Sequence, residues 1–389
     1  MFARLPEERM AATPSVASIK QHFRRLRDPR VTGRTKHRLI DLLVLALCGL
    51  IANCDAWPDS ALFARQRESW FRRSLARPGG IPSHDTFERV FAALNPRALQ
   101  ACCLAWLRAV AGLAGVEHLA IDGKSLRGSA GSKFGALHVV SAWATRAQVS
   151  LGPVAVDGKG NEITAIPQLL ELLAVDGALV TIDAIGCQKA IAKKIVDRGG
   201  DYVLVVKAHQ GPLLEDIQET VTRALDGQLP AGRARQCTTT ERGHGRAEER
   251  RCVVIEDVGG IRDRSLWPAL RVVGMCRRAR TVNGGTTTEV CYVIGSRRMA
   301  ARRYLAALRN HWGIENHLHW QLDVSFHEDA SRVENRHGAE NLSLFRKLAL
   351  SLRKQNPRKE TIARKRKAAA VDPGYLAEII TGHTKLAEV

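Results

Sequence analysis

The chain has 389 residues, 45% of them hydrophobic, and carries 59 lysines and arginines against 39 aspartates and glutamates. This length and hydrophobic content allow two or three packed domains and disfavour a largely disordered chain. The formal charge of +20 favours nucleic acid as the partner, because neutralising phosphates releases their counterions. The longest apolar stretch, residues 42–52, is shorter than the roughly 20 residues that a membrane-spanning helix needs. We therefore predict no membrane partner.

The cysteines and the N-terminus indicate an intracellular protein. The first ten residues include acidic side chains and lack an apolar segment with a cleavage site, which disfavours secretion. The nine cysteines include the adjacent Cys102 and Cys103 and never show the C-x-x-C spacing of a zinc knuckle. We expect reduced thiols in the core.

The front of the chain has helical spacing. Apolar side chains recur three and four residues apart in three segments, 39–53, 60–76 and 83–95. Ser83 and Asp85 suit the start of the third helix. These features predict a helical N-terminal domain, which either recognises DNA ends or is a helical bundle without that role.

From residue 117 the pattern changes to short β-branched runs separated by turn residues. Three successive runs predict a β-meander, and helix, strand, helix, strand and helix follow it. This alternation predicts an α/β fold with a mixed or parallel sheet covered by helices. Strand-like runs then return as a β-rich insertion, and a helix over roughly residues 299–321 follows them.

The predicted organisation has five parts: a helical N-terminal domain (1–112), the first part of an α/β core (113–231), a β-rich insertion (232–298), the last part of the core (299–356) and a basic C-terminal tail (357–389). The tail contains the run RKETIARKRKAAA. It either lies along phosphates or forms a solvated helical face.

Two aspartates stand where apolar strands are predicted to stop. Asp122 follows the run HLAI, and Asp183 follows VTI. Ligands collect at the carboxyl ends of strands in α/β sheets, and two neighbouring carboxylates repel each other unless a cation lies between them. Mg²⁺ or Mn²⁺ suits such a site better than zinc, because hard oxygen ligands in an incomplete cage leave room for water and phosphate.

The helix near residues 299–321 supplies a third carboxylate, Glu315. It lies on a stripe with three- and four-residue spacing, formed by Leu305, Leu308, Trp312, Glu315, His319 and Leu322. A core-facing acid must be paired or metal-bound, because burial alone is costly. We predict that the three acids hold two ions about 4 Å apart. The alternatives are turn or cap roles for the aspartates, and pairing of Glu315 with Arg309 or a core histidine.

The order of strands, helices and acids is that of a ribonuclease H-like fold. The chain resembles the H-repeat-associated family of DDE insertion-sequence transposases in segments that run almost end to end: LRDPR, KHRLIDLLVLALCGLIA, GIPSHDTFERVF, AIDGKSLRGS, TIDAIGCQKAIAKKIVDRGGDYVLVVKAHQGPL, ERGHGRAEERR and RNHWGIENHLHWQLDVSFHEDASRVENRHGAENLSLFRKLAL. By this resemblance Asp122, Asp183 and Glu315 fall on the acidic triad of the family. The β-rich insertion falls where related transposases carry one.

The resemblance implies an enzyme that binds the inverted-repeat ends of its element and a target, both double-stranded DNA, as a homo-oligomer in a prokaryotic cytoplasm, associated with the nucleoid. One ion would lower the pKa of the attacking water and the other would stabilise the departing 3′ oxygen. The freed 3′-OH then attacks target DNA. The alternatives are a transposase-derived DNA-binding protein that no longer transposes, and a general nuclease of the same fold, which would need neither the front domain nor the insertion.

The chain departs from related transposases around the glutamate. Relatives with such an insertion place a tyrosine, an arginine and a lysine there, whereas this chain has Leu308, His311 and Leu322. Arg309 and Asn316 could substitute in gripping DNA.

Basic and aromatic residues near the acids are candidates for DNA contact. They follow predicted strand ends, lie in the Gly-flanked GHGR turn, or stand on the Glu315 helix. The candidates are Lys124, Arg127, Lys207, His209, His244, Arg246, Arg309, Trp312 and Asn316. The basic ones could equally be solvated turn residues, and Trp312 could stack on a base or pack in the core.

Four histidines near Glu315 suggest zinc at first sight. His311, His317, His319 and His327 form no H-E-x-x-H pattern, and zinc chemistry would leave the strand-end aspartates unexplained. We therefore disfavour a zinc enzyme.

Overall fold

The computed structural model describes residues 16–31, 33, 35–112, 115–131, 135–156, 162–243 and 245–381. The chain forms two compact units. The first, the helical unit, joins Met1–Ala114 with Gln321–Val389, and the second, the sheet unit, comprises Gly115–Trp320. The division differs from the five predicted parts, because the last segment of the chain joins the front helices in one unit.

The helical unit contains helices from both ends of the chain: α1 (Val16–Phe23), α2 (Leu39–Ile51), α3 (Trp57–Gln66), α4 (Glu68–Arg72), α5 (His84–Ala93), α6 (Pro96–Val110), most of α11 (Trp320–Phe326), α12 (Arg336–Gln355), α13 (Ile362–Val371) and α14 (Pro373–Thr381). The apolar α2 is buried from Asp41 to Ile51. Helix α12 packs against α2, α5 and α6. The Asn335 side chain starts α12 by accepting a hydrogen bond from the Gly338 amide at 2.9 Å.

The C-terminal run is only in part the solvated helical face that we considered: Arg364 and Lys367 are exposed on α13, whereas two other cations are not. Lys365 and Arg366 are buried on α13. The Lys365 ammonium donates to the Arg353 and Asn356 carbonyls at 3.0 and 2.7 Å. The Arg366 guanidinium pairs with Asp55 and lies 4.2 Å from the centre of the Phe326 ring. Composition alone could not reveal that carbonyls, a carboxylate and an aromatic face compensate these charges.

The sheet unit contains one mixed sheet with covering helices, as predicted. Its elements are β1 (His118–Leu126), β2 (Leu137–Ala144), β3 (Val149–Val156), α7 (Glu162–Leu172), β4 (Leu179–Ile182), α8 (Lys189–Asp197), β5 (Asp201–Val206), α9 (Gly211–Leu225), β6 (Ala234–Gly243), β7 (Arg246–Ile255), β8 (Val272–Val282), β9 (Gly285–Gly295) and α10 (Ala301–Ile314). The strand order is β3-β2-β1-β4-β5-β9-β8-β7-β6. The antiparallel β1, β2 and β3 form the predicted meander, and β1, β4 and β5 are parallel.

The inserted strands extend this sheet. Strand β9 pairs antiparallel with β5, from Val203↔Gly295 to Val206↔Tyr292. Strands β8 and β9 form a hairpin whose two-residue turn, Asn283-Gly284, has positive φ at both positions, as a twisted hairpin requires. Strands β5, β7, β8 and β9 share one hydrophobic cluster with α10. The insertion therefore forms part of the surface on which α10 packs.

The predicted helix over residues 299–321 is interrupted. It consists of α10, a π-helical turn over Glu315–His319 and α11. A π-turn closes i→i+5 hydrogen bonds, and such turns occur frequently at functional sites. Here the Trp320 amide donates to the Glu315 carbonyl.

Four of the six stripe residues, Leu305, Leu308, His319 and Leu322, are buried, but the buried face of α10 is rotated part of the way from the stripe. It centres on Tyr304, Ala307, His311 and Ile314. Core positions for Trp312 and Glu315 are therefore wrong: Trp312 is 49% exposed, and the Glu315 side chain is 55% exposed. The stripe misled because His311 and Tyr304, which looked polar, find buried hydrogen-bond partners.

Two buried histidines share one hydroxyl beneath α10. The Thr181 hydroxyl on β4 lies 2.9 Å from His118 Nε2 on β1 and 3.2 Å from His311 Nδ1 on α10. Burial lowers the pKa of each histidine to about 4. This neutral group joins two strands to the helix that carries Glu315.

A second buried group lies behind Gly123. Glu162, at the start of α7, contacts His138 Nε2 at 2.7 Å, and His138 Nδ1 lies 2.9 Å from the Ser125 hydroxyl. A Cβ at Gly123 would lie 2.5 Å from both Glu162 Oε1 and His138 Nε2. Only glycine fits at this position of β1 without displacing the pair.

Within the described residues, no single helix is long and apolar enough to cross a membrane, whereas the bent pair α5 and α6, meeting at 99°, could do so by length and composition alone.

We predict that folding stability falls as the pH drops from about 6.5 to 4. In this window the unfolded state protonates both histidines and the folded state does not, at a cost on the order of 3 kcal/mol for each histidine. Above pH 6.5 the contribution is complete. In thermal melts across this range, His311→Asn should show a clearly shallower pH dependence than the parent, with the exposed His209→Asn as control. Equal slopes would contradict the assignment.

We further predict that Gly123→Ala lowers the free energy of unfolding by about 1–3 kcal/mol, because the added methyl group overpacks the His138–Glu162 pair. Urea unfolding measures this loss. Gly115→Ala is the control, since a Cβ there meets nothing within 4 Å. If both variants unfold at the same urea concentration, the His138–Glu162 pair moves to accommodate the methyl group, and the predicted overpacking is wrong.

Candidate functional site

The parallel pairing of β1 with β4 brings the two aspartates together. The last paired residues are Ile121 and Ile182, so Asp122 and Asp183 follow at neighbouring positions. Strand β1 does not stop at Asp122, as we predicted, but continues to Leu126 because β2 still pairs with it. The two aspartates therefore lie where the pairing of β1 with β4 ends, and not where β1 itself ends.

Asp122, Glu315 and His319 form a cluster of potential metal ligands. One ligand atom from each lies within 4.8 Å of the others. The His319 Nδ1 atom lies 3.5 Å from Asp122 Oδ2 and 3.4 Å from Glu315 Oε2. His319 is buried, and its Nε2 atom has no hydrogen-bond partner among the described residues. His319 lies on the predicted stripe, four residues after Glu315, but was not among the predicted site residues.

Asp183 combines two roles. Its Oδ1 atom accepts a hydrogen bond from the Ile185 amide at 3.2 Å and caps a short turn over Ala184–Gly186, so the cap alternative holds for this oxygen. Asp183 lies outside the 4.8 Å cluster. Burial, followed by the charge of Glu162, raises its pKa. Its charge also acts on Asp122, which places the two carboxylates in one electrostatic field.

The carboxylates are incompletely neutralised. Burial raises the pKa of Asp122 to about 7, and the charges of Glu315 and Asp183 add to this effect. The pKa of Glu315 is lowered, mainly by its hydrogen bond with His319. Two carboxylates and an imidazole form a donor set that divalent cations accept, and a cation would offset both the burial and the like charges that raise the pKa of Asp122. The residues present therefore fit a divalent metal ion.

Glu315 is not paired with Arg309. Arg309 instead forms a two-pronged ion pair with Glu241 on β6, at 2.6 and 3.2 Å. The alternative that Glu315 pairs with a histidine is correct, because His319 is its partner. Arg309 thus connects α10 to the insertion.

A cleft of about 790 Å³ lies between α10 and the inserted strands. We call it the basic cleft, because seven of its lining residues are cationic and two are acidic: Lys207, Arg246, Arg250, Arg277, Arg278, Arg280 and Arg309, against Glu248 and Glu289. Trp312 and Asn316 also line it. Five of the residues predicted to contact DNA are thus brought together, namely Lys207, Arg246, Arg309, Trp312 and Asn316.

The other predicted contacts lie elsewhere. Lys124 is half-buried within β1, and Arg127 is exposed where β1 gives way to a 3-10 turn. His209 is exposed in the turn after β5. His244 falls outside the described residues. The arginines of β8 in the basic cleft, Arg277, Arg278 and Arg280, were missed, because basic residues on a predicted strand are also typical of a solvated face.

Comparison with known proteins gives matches along most of the chain. Residues 114–352 match the Transposase DDE domain family, and residues 20–107 match the DDE_Tnp_1-associated family. YncI of Escherichia coli O157:H7, named as a candidate transposase, is 35% identical over 96% of both chains. YhhI of Escherichia coli K12, named as H repeat-associated and as a candidate transposase, is 34% identical over 94% of this chain and 98% of its own.

A shorter relative, named Inactive transposase YbfQ, from Escherichia coli K12, is 29% identical over 18% of this chain and 86% of its own. The DDE domain implies a ribonuclease H-like core, a DNA substrate and the use of a divalent metal ion. The nine-stranded mixed sheet agrees with that core. With these matches and its site, the chain belongs to the DDE transposase family, in the group of H repeat-associated transposases.

Proposed function

We propose that the chain is an active insertion-sequence transposase that cleaves DNA phosphodiesters and joins the freed 3′-OH to target DNA, with Asp122, Asp183 and Glu315 as catalytic and metal-binding residues. The observation that carries the proposal is the cluster of Asp122, Glu315 and His319 beside Asp183. The last β1–β4 pair, Ile121 and Ile182, precedes Asp122 and Asp183 directly, which supports placing the two aspartates beside each other.

The proposed cofactor is Mg²⁺ or Mn²⁺, with two ions held by the three acids. When bound, such ions lower the pKa of a water ligand and stabilise the charge that develops on phosphate oxygens. Asp122 supplies Oδ2, because its Oδ1 accepts the Gly123 amide at 2.9 Å. Asp183 likewise supplies the oxygen that does not cap the turn.

Three further residues position the acids. His319 Nδ1 lies between the carboxylates of Asp122 and Glu315, so it orients both from a buried position. The His138–Glu162 pair supports the backbone of β1 from behind Gly123. The exposed side of Glu315 leaves the approach of a DNA phosphate open.

The basic cleft is the proposed DNA-binding surface. Lys207, Arg246 and Arg309 would contact phosphates, and the half-exposed Trp312 offers a face on which a base next to the cut could stack. Asn316 stands beside Glu315 and lines the same cleft. Lys124 and Arg127 follow Asp122 along the chain and would contact phosphates near the cut. The proposed partners are the inverted-repeat ends and target DNA, bound by a homo-oligomer.

We predict metal-dependent nicking of DNA that carries the terminal inverted repeats of the element. Asp122→Asn, Asp183→Asn and Glu315→Gln should each reduce nicking more than about a hundredfold, since loss of residues that merely orient metal ligands already costs about 10–100-fold. Gel assays with Mg²⁺ or Mn²⁺ measure the rate, and Asp226→Asn, an exposed acid after α9, is the control.

The same assay separates the alternatives. A transposase-derived DNA-binding protein would retard the end-containing DNA in a gel without nicking it in either metal. A general nuclease would cut DNA with and without the repeats at similar rates. Either result would overturn the proposed activity.

We also predict that Lys207→Ala weakens DNA binding about equally for all sequences and lowers the slope of log affinity against log salt by about 1. The loss of one phosphate contact is the reason. Fluorescence anisotropy at several salt concentrations measures both quantities. Lys193→Ala on the exposed face of α8 is the matched control, and equal salt slopes for the two variants would remove Lys207 from the DNA surface.

A further inference from the structure

Four cysteines form a single row across the inserted strands. Cys237 on β6 is the direct partner of Cys252 on β7, Cys252 of Cys276 on β8, and Cys276 of Cys291 on β9. Directly opposed residues of antiparallel strands point to the same face. The four side chains therefore lie side by side on the face that packs against α10.

The two ends of the row differ. Cys252 and Cys276 are buried under α10, whereas Cys237 and Cys291 are partly buried. Cys276 and Cys291 line the basic cleft. Cys276 lies directly opposite Cys252 on one side and Cys291 on the other. One end of the row therefore meets solvent in strongly cationic surroundings.

The electrostatics single out Cys291. Its pKa is lowered, first by the hydrogen bond from the Cys276 thiol and also by the charge of Lys207. The pKa of Cys237, at the other end, is raised by burial. The thiolate is the nucleophilic form of cysteine, so Cys291 is the reactive end and Cys276 is its neighbour in reach.

The row does not suit a four-cysteine zinc site. Such a site needs four sulfurs around one point, about 2.3 Å from the metal. Neighbouring strands lie about 4.8 Å apart, so four strands span about 14 Å between the first and the last. A pair of adjacent cysteines, in contrast, meets the geometry of a disulfide, since opposed Cα atoms about 5 Å apart fall within the bonded range of about 4.4–6.8 Å.

We propose that Cys276 and Cys291 form a redox-active dithiol that reacts with hydroperoxides in the basic cleft and closes to a cross-strand disulfide. The Cys291 thiolate attacks the terminal peroxide oxygen and becomes a sulfenic acid, while the alcohol or water leaves with a proton. The Cys276 sulfur then attacks the Cys291 sulfur, and water leaves. The two thiols lose two electrons, and the hydroperoxide is the oxidant that takes them up.

The experiment treats the reduced full-length protein with hydrogen peroxide in the absence of metal. Peptide mass spectrometry then follows each cysteine over time. We expect a Cys276–Cys291 link to appear, with Cys291 reacting about tenfold faster than Cys237, because its thiolate fraction is larger. Cys237 is the matched internal control, since both residues are partly buried at the ends of one row.

Two variants test the order of the steps. Cys276→Ser should trap Cys291 as a sulfenic acid that dimedone labels, and Cys291→Ser should abolish the link without labelling of Cys276. The proposal is overturned if the unmodified protein keeps both thiols reduced while Cys237 oxidises, or if the first link joins Cys237 to Cys252. The time course on the unmodified protein decides this even if a variant fails to fold.

Discussion

The parallel pairing of β1 with β4 is the constraint on which the sheet unit depends. It puts Asp122 and Asp183 next to each other at the point where their shared ladder ends. The same pairing orients His118 and Thr181 so that one hydroxyl ties both strands to His311 on α10. The helix that carries Glu315 is thereby fixed to the two strands that carry the aspartates. Hydrogen bonds between neutral buried groups thus hold the position of three charges that repel one another.

The carboxylates that repel one another differ in their exposure to solvent. Asp122 is mostly buried and Glu315 is largely exposed, with His319 between them. Burial penalises the ionised form of one acid while a hydrogen bond favours it in the other. Acids in such unequal surroundings separate their pKa values.

Much of the fold was predictable from the sequence, and the reasons are local. The strand and helix runs between residues 117 and 225 follow hydrophobic period and turn residues, so the mixed sheet could be predicted. The rotation of α10 could not, because spacing alone does not show that His311 finds Thr181 in the core. The burial of Lys365 and Arg366 depends on residues that are distant in sequence, such as Asp55. The spacing of hydrophobic residues does not indicate such pairings.

The candidate site also has a part that the sequence predicts and a part that it does not. The three candidate acids were suggested by predicted strand ends and one helix, and His319 lies on that helical stripe four residues after Glu315. The basic cleft is assembled from β7, β8, β9 and α10. Its arginines come from several strands, and only the position of those strands beside α10 brings them together in one cleft.

The helical unit is built from both ends of the polypeptide, and this has a consequence for biosynthesis. Asp55 emerges from the ribosome early, but its partner Arg366 emerges more than 300 residues later. The sheet unit, which is continuous in sequence, can fold while translation proceeds, as domains generally do. The front helices must wait for α12, α13 and α14 before their core is complete. A nascent chain that stops short of α13 would therefore leave the Asp55 carboxylate without its guanidinium.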